Sequence, residues 1–332
     1  MTIALLPKRQ RFYDRPIPIP IPIPVPQPMN HLRFLRYVDE IARAGSIRGA
    51  AERLHVAPSA VNRRLLDLEE ELGTPIFERL PRGMRLTAAG ELFIDYVRSR
   101  AAALDHVRSR IEELRGLRRG TVRVAISQAL APSFLAPVIA RFRRSHPLVD
   151  FQVRVFDHGQ ALTALRAFEI DLALVFNLPA QPGVERQVLL EQRLHAIMHA
   201  EHPLARAGRA GVRLRECAEW PLALPDRDTG GRQMLERFLV RSSVRLRPVI
   251  ESNSFEFLRS CLEDRESISF QIGIGALIGR ADLVARVVDD AGFPRGDLVL
   301  AHLAGRQLPA IAHAFAGAVR QALSRPASAK SR

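Results

Sequence analysis

Three side chains could read a nucleic acid. Ser59, Asn62 and Arg63, with Leu66 beside them, fall on or near the outward side of one helix. Its inward side is Val61, Leu65, Leu68 and Leu72, at i, i+4, i+7 and i+11. Pro58 suits the first turn, where the N–H it lacks is not needed, and Gly73 stops the helix. Near such an N-terminus, free N–H groups and partial positive charge face phosphate, while Asn and Arg can pair with base edges in a major groove. A second set, Arg79, Arg82 and Arg85, flanks the turn Pro81-Arg82-Gly83 between two short extended pieces. There a guanidinium would meet the phosphate backbone or minor groove, and contact is expected of Arg79 and Arg82.

Other spacings suggest other chemistry and fit it poorly. The run Gly273-Ile274-Gly275-Ala276-Leu277-Ile278-Gly279 follows a strand, but it is one residue too long for a dinucleotide loop and lacks the surrounding βαβ unit. His195, His199 and His202 have helical metal-ligand spacing in a stretch that reads as a strand. No GxSxG or phosphate-loop pattern occurs, and His106 has no nucleophile near it. Neither a catalytic set nor a cofactor is expected. Cys217 and Cys261 cannot build a disulfide framework or a four-ligand zinc site and are expected to be core thiols, with a redox-sensing pair as the alternative.

The elements that position the first set begin with a helix capped by Asn30, carrying Leu32, Leu35, Val38 and Ile41 at helical spacing. A second short helix follows Ser46, a good N-cap, with Ile47, Ala50, Ala51 and Leu54 on its apolar side; His55, Val56 and Ala57 break it. This is helix-turn-helix geometry, and TPIFERLPRGMRLTAAGE after Gly73 reads as a wing anchored by Ile76 and Phe77. Glu69, Glu70 and Glu71 at the far end should keep it away from phosphate. Thr87 then caps a long helix to about Leu117, along which Phe93, Arg100, Val107 and Leu114, and Val97, Leu104 and Ile111, recur every seven residues. Either a helix pairs with a second copy there, or it lies on its own domain.

From Gly120 strands and helices alternate, which predicts a wound α/β arrangement of mostly parallel strands. A second unit is expected from about Val184 to Val288, with the segment DLVLAHLAG and the last helix returning to the first. Two lobes with two crossings imply a cleft. Ligands of open α/β sheets bind beyond the carboxyl ends of strands, which selects Ser127, Gln128, Asn177, Asn253, Ser254 and Gln271.

These residues carry a resemblance. Gly45-Ser46, Ala50-Ala51, Leu54, Val56, Ala60-Val61, Leu68-Glu69, Leu72-Gly73, Phe77, Arg79, Leu86-Thr87 and Ala89-Gly90 resemble the N-terminal signature of LysR-type transcriptional regulators. The resemblance continues more loosely to about residue 324. It implies a winged helix-turn-helix, a linker helix and a two-lobed effector domain similar to a type 2 periplasmic-binding-protein fold. It also implies DNA contact by Ser46, Pro58, Ser59, Asn62, Arg63, Arg79 and Arg82, and dimerisation through Phe93, Val97, Leu104, Val107, Ile111 and Leu114. The implied partners are operator DNA with two half-sites, a small and often anionic or aromatic effector, further copies in a dimer or tetramer, and RNA polymerase. Ser127 and Ser254, at helix starts, would suit a carboxylate. The family often has Ser-Gln-Pro where this chain has Ala57-Pro58-Ser59, and a Ser where it has Asn62, so no relative's operator sequence carries over.

The expected domains are a Pro-rich extension (1–28), the DNA-binding domain (29–87), the linker (88–119), the effector domain (120–324) and a tail (325–332). Residues 1–28 end in RPIPIPIPIPVPQP, in which alternate residues lack an N–H, so an extended, solvated arm is expected. Net charge is +14, but it is spread as +3 over 1–28, +4 over 29–119 and +7 over 121–332, so bulk charge alone does not argue for DNA. No run of about 18 apolar residues occurs, and a cytoplasmic location is expected. Two rivals remain at this level: a small-molecule enzyme or solute-binding protein with an incidental helical N-terminus, and a constitutive architectural DNA binder.

Overall fold

The computed structural model describes residues 30–114, 119–276 and 280–324. The extension 1–28, the tail 325–332 and Leu277, Ile278 and Gly279 lie outside the described residues, as do the side chains of Leu32 and Leu114. The chain divides between Glu91 and Leu92 into two compact units.

In the first unit, local signals set each helix end. Helix α1 (Asn30–Ala44) stops at Gly45, which takes φ +64°. Ser46 Oγ accepts the Gly49 N–H at 3.1 Å to start α2 (Ile47–Leu54), and His55 closes it with φ +53°. Helix α3 (Pro58–Leu72) starts on its proline and ends at Gly73 with φ +65°. Val38, Ile41, Ala50, Ala51, Val61, Leu65 and Leu68 form the shared core. The predicted stripe is one residue shorter than expected, because Leu72 in the last turn is exposed. The wing is an antiparallel pair, β1 (Phe77–Leu80) and β2 (Gly83–Leu86), with Leu80 opposite Gly83, leaving Pro81 and Arg82 as a two-residue turn. Met84 N–H donates to Gly45 O at 2.8 Å, which ties the wing to the turn between α1 and α2.

Helix α3, wing and linker meet at Ile76. Glu69 Oε1 accepts the N–H groups of Ile76 (2.8 Å) and Phe77 (3.1 Å). Ile76 O accepts the Thr87 N–H at 3.0 Å, and Thr87 Oγ1 donates to Pro75 O at 2.8 Å and accepts the Gly90 N–H at 2.9 Å. Glu69 is therefore a structural acceptor rather than a solvated repelling charge; Glu70 and Glu71 are exposed. Helix α4 (Ala88–Leu114) leaves this junction as the linker. Along it the chain buries Val97 and half-buries Phe93 and Leu104, whereas Val107 and Ile111 are exposed. Leu92, Tyr96, Ala103, Val107 and Ile111 make an exposed apolar stripe, turned from the predicted heptad seam by about half a residue step.

The second unit holds two sheets of the same plan. The first lobe runs β3 (Gly120–Ile126), short 3-10 and π turns over 128–135, α5 (Ala136–Ser145), β4 (Val149–Val155), α6 (His158–Arg166), β5 (Leu172–Phe176) and β6 (Val184–Gln192). Pro137 lacks the N–H that a helix begun at Ala131 would donate to Ser133 O, so the helical stretch from Ala131 becomes a regular α-helix only at Ala136. The second lobe runs β7 (Leu194–His199), α7 (Pro203–Arg206), β8 (Gly211–Val212), α8 (Leu214–Cys217), β9 (Leu222–Pro225), α9 (Gly230–Leu239), β10 (Pro248–Ser252), α10 (Phe255–Cys261), β11 (Ile268–Ile272), a single turn α11 (Gly273–Ala276) and β12 (Leu283–Val288). Strand β13 (Gly296–Leu303) and α12 (Ala310–Ser324) return to the first lobe.

Strand orders are β4-β3-β5-β13-β6 and β10-β9-β11-β7-β12-β8. In each, three parallel strands are followed by one that has crossed from the other lobe and pairs antiparallel. The sheets are thus mixed rather than mostly parallel. The expected start of the second lobe at Val184 is corrected to Leu194, because β6 pairs with β13 along Val184–Gln192 in the first sheet. Side chains alternate across the sheet: Val122, Val124 and Ile126 pack with Phe142 and Phe315 on one side, and Ala125 packs with Ala161 and Leu165 on the other.

A Cβ on Gly90 would lie 2.0 Å from Ile76 O, a backbone atom that cannot swing away. Gly90→Ala should therefore cost about 3 kcal/mol, the upper end for overpacking, read as a lower urea midpoint for the DNA-binding unit; an unchanged midpoint would mean the junction is loose.

Candidate functional site

The first candidate surface is on the DNA-binding unit. Ser59 and Arg63 of α3 are exposed and Asn62 is half-exposed, on the side opposite buried Val61, Leu65 and Leu68. Pro58 is the exposed first residue of α3, while Ser46 spends its hydroxyl oxygen on the α2 cap. On the wing, Arg79 donates from Nη2 to Asn62 Oδ1 at 2.8 Å. Arg85 donates to Glu78 Oε2, its cross-strand partner, at 2.7 Å. Arg82 sits at the exposed tip. The surface thus combines a helix N-terminus, an amide, a free-standing arginine on the helix and two arginines on the wing, the groups that contact bases and phosphates.

The second candidate is a cavity of about 360 Å³ between the two lobes. Ser127, Gln128, Asn253 and Ser254 line it. Ser127 Oγ accepts the Phe176 N–H at 3.3 Å, and Ser254 Oγ accepts the Phe257 N–H at 3.2 Å as the α10 cap, so each keeps its O–H to donate. Gln128 reaches across: its Oε1 accepts the Phe255 N–H at 3.2 Å, joining the lobes.

Asn177 and Gln271 do not line the cavity. Asn177 holds φ +56° at the end of β5, accepts the Asp297 N–H (3.0 Å) and donates to Gly230 O (3.2 Å), so its amide is spent as a strap between lobes. Gln271 is buried within the second lobe, where its Oε1 accepts from Arg259 Nη2 at 3.0 Å.

Sequence reasoning missed Asp157, His158, Asp226, Asp228 and Thr229, which also line the cavity. They follow the carboxyl ends of β4 and β9, so the rule that selected Ser127 and Asn253 would have found them had it been applied to those two strands. Asp157 and Thr229 double as N-caps of α6 and α9. The lining carries three carboxylates and no Lys or Arg. Arg232, the nearest cation in α9, is buried and held by Glu236 (2.7 Å) and Glu251 (2.8 Å).

Each histidine of the helically spaced set uses a ring nitrogen locally. His195 Nδ1 meets Arg193 O, His199 Nδ1 accepts the Glu201 N–H, and buried His202 is held between the Leu204 N–H and Glu266 O. Burial pushes the pKa values of His195 and His202 down. Among the described residues no group of three or more His, Cys, Asp or Glu could hold a metal. Gly273–Ala276 of the glycine run is one helical turn after β11, not the start of a phosphate-binding helix.

A winged helix-turn-helix followed by a long helix and a bilobal α/β domain with a polar cleft is the architecture of a ligand-responsive DNA-binding protein. Residues 32–91 match the bacterial regulatory helix-turn-helix protein, lysR family, and residues 115–324 match the LysR substrate binding domain. The chain belongs to the LysR family of transcriptional regulators: it binds DNA through its first unit and an effector through its second. It is 28% identical over 289 residues to the RuBisCO operon transcriptional regulator of Allochromatium vinosum, covering 86% of this chain and 93% of that one. In fold it is similar to a full-length OxyR variant from Pseudomonas aeruginosa (TM-score 0.65, 19% identity, 88% and 94% covered) and to CbnR, a LysR family transcriptional regulator (TM-score 0.60, 20% identity, 88% and 99% covered). No described helix is long and apolar enough to cross a membrane.

The cysteines differ in environment. Burial pushes the Cys217 thiol up to about 12, and Cys261, half-buried, is raised less. Because the thiolate is the reactive form, native protein at pH 8 should be labelled by a maleimide at Cys261 well before Cys217, with the rates converging in urea. Fast native labelling of Cys217 would show that its pocket opens.

Proposed function

We propose that the chain is a cytoplasmic homo-oligomeric regulator in which a ligand bound between the lobes changes how paired DNA-binding units engage two half-sites. The observation that carries this is the cleft lined from both lobes, with Gln128 already bonded across it. A ligand there would favour one arrangement of the lobes over another and so shift an oligomer between geometries. The exposed stripe of Leu92, Tyr96, Val107 and Ile111 on α4 supports pairing of copies along the linker, as a dimer or a tetramer. Contact of α4 with its own domain is also present, since His106 Nδ1 bonds Leu308 O at 3.0 Å. The domain limits 29–87, 88–119 and 120–324 fit this division of labour, with RNA polymerase as the downstream partner. Footprints taken on the DNA upstream of the protein's own gene, with and without cleft ligands, test it; an unchanged footprint under every ligand that stabilises the protein would sink it.

The lining favours a ligand different from a simple carboxylate. Asp226 and Asp228 suit an ammonium or a group with several N–H or O–H donors, and the free O–H groups of Ser127 and Ser254 suit an acceptor. Phe156, Phe176 and Phe255 supply apolar wall. An amino-acid-like zwitterion meets all three. Such a ligand at 100 times its Kd should add about 2.7 kcal/mol of stability, and Asp228→Asn should weaken its binding. Stabilisation by monocarboxylates but not by amines or zwitterions in a melting panel would reverse the assignment.

On the DNA side, Arg63→Ala should relax base preference at a cost of about 1–3 kcal/mol. Arg82→Ala should instead weaken all sequences alike and lower the salt slope by about one. Salt-titrated binding to cognate and scrambled duplexes separates the two; equal losses on both duplexes from both variants would exchange the roles.

A further inference from the structure

Asn62 lies on the outward side of α3 and Arg79 on the first wing strand, and their 2.8 Å hydrogen bond joins the two elements. A guanidinium has five N–H donors and no acceptor, so it dictates the orientation of the amide it touches: the oxygen faces Arg79 and the NH2 group faces away. The bond is charge-assisted, hence stronger than one between neutral groups. Arg79 remains exposed and Asn62 half-exposed, so the pair is available to DNA.

We propose that Arg79 is a specificity-determining residue that locks Asn62 as a hydrogen-bond donor, so that Asn62 selects guanine or thymine over adenine. This rests on Asn62 being a base contact. Bidentate recognition of adenine needs both ends of an amide, the oxygen on N6–H and the NH2 on N7. With the oxygen turned to the wing and one of its lone pairs taken by Arg79, the NH2 end is the one offered. It matches O6 and N7 of guanine, or O4 of thymine, whereas the N6 amino group of adenine meets it as a second donor. One guanidinium donor is spent on Asn62, which leaves four N–H groups for a phosphate. Arg79 can therefore hold the backbone and set the base choice at once.

The test is selection from randomised duplexes with the full chain, comparing the unmodified protein with Asn62→Ala, Arg79→Met and Asn62→Asp, each checked for an unchanged melting curve. The unmodified protein should select guanine or thymine at one position of each half-site, and Asn62→Ala should lose that preference. Arg79→Met, which removes the donor but keeps an aliphatic stem, should raise adenine against guanine there by about five- to tenfold. Asn62→Asp keeps the tie to Arg79 but offers only acceptors, and should turn the preference toward the N4 donor of cytosine. A sequence unchanged by Asn62→Ala would remove Asn62 from the base contacts, and the lock with it. A preference lost in Asn62→Ala yet unaltered in Arg79→Met would leave Asn62 as a reader and overturn the lock.

Discussion

The DNA-binding unit depends on the backbone of Ile76. Its N–H is held by the Glu69 carboxylate and its carbonyl by the Thr87 amide, while Gly90 lies against that carbonyl too closely for any side chain. One residue thereby fixes the exit of the recognition helix, the root of the wing and the first turn of the linker. The acceptor on one side is charged, so the bond survives where a neutral one would be marginal, and removing it would strand two amides, both on buried residues. The wing arginines gain their placement from this. A two-residue turn between four-residue strands has little stiffness of its own; the bonds of Glu69 to β1 and of Gly45 to β2 supply it.

The effector domain solves a different problem, how to join two lobes around a cleft within one body. Each sheet keeps three parallel strands and receives a fourth from across the divide, so the lobes are linked by interior strands rather than by a surface loop. The crossings are short: Arg193 alone separates β6 from β7, and residues 289–295 separate β12 from β13. Arg193 donates to Asp289 at 3.0 Å, joining the two crossings, although the pair is exposed and contributes little stability. Asn177 and Gln128 add polar ties between the lobes, and bonds of that strength can be exchanged for bonds to a ligand.

The helices of the first unit were legible because their ends are written locally: Ser46, Pro58, Gly45 and Gly73 act where they stand. The wing was legible for the same reason. Glu69 was not, since an acid in an acidic run looks solvated until the fold brings two amides seven and eight residues away to its carboxylate. The lobe boundary was misplaced because β6 finds its partner about 100 residues later, and nothing between Val184 and Gln192 declares which sheet it joins. Of the cleft, Ser127, Gln128, Asn253 and Ser254 do line it, whereas Gln271, still inside β11, is spent within its own lobe. Asn177 does not line it either, because a positive φ and two backbone partners make it a strap, a use its type and position do not reveal.

The pairing of β6 with β13 has a consequence for how the chain is made. All strands of the second lobe lie between Leu194 and Val288, whereas the first lobe has β13 at its interior, between β5 and β6. A nascent chain emerging N-terminus first can complete the second lobe while the first still waits for its missing strand. At about 5–20 residues per second, β6 and the edge of β5 away from β3 wait on the ribosome for seconds, presenting open edges of the kind that chaperones cover. The lobe that is written first is therefore the lobe that is finished last.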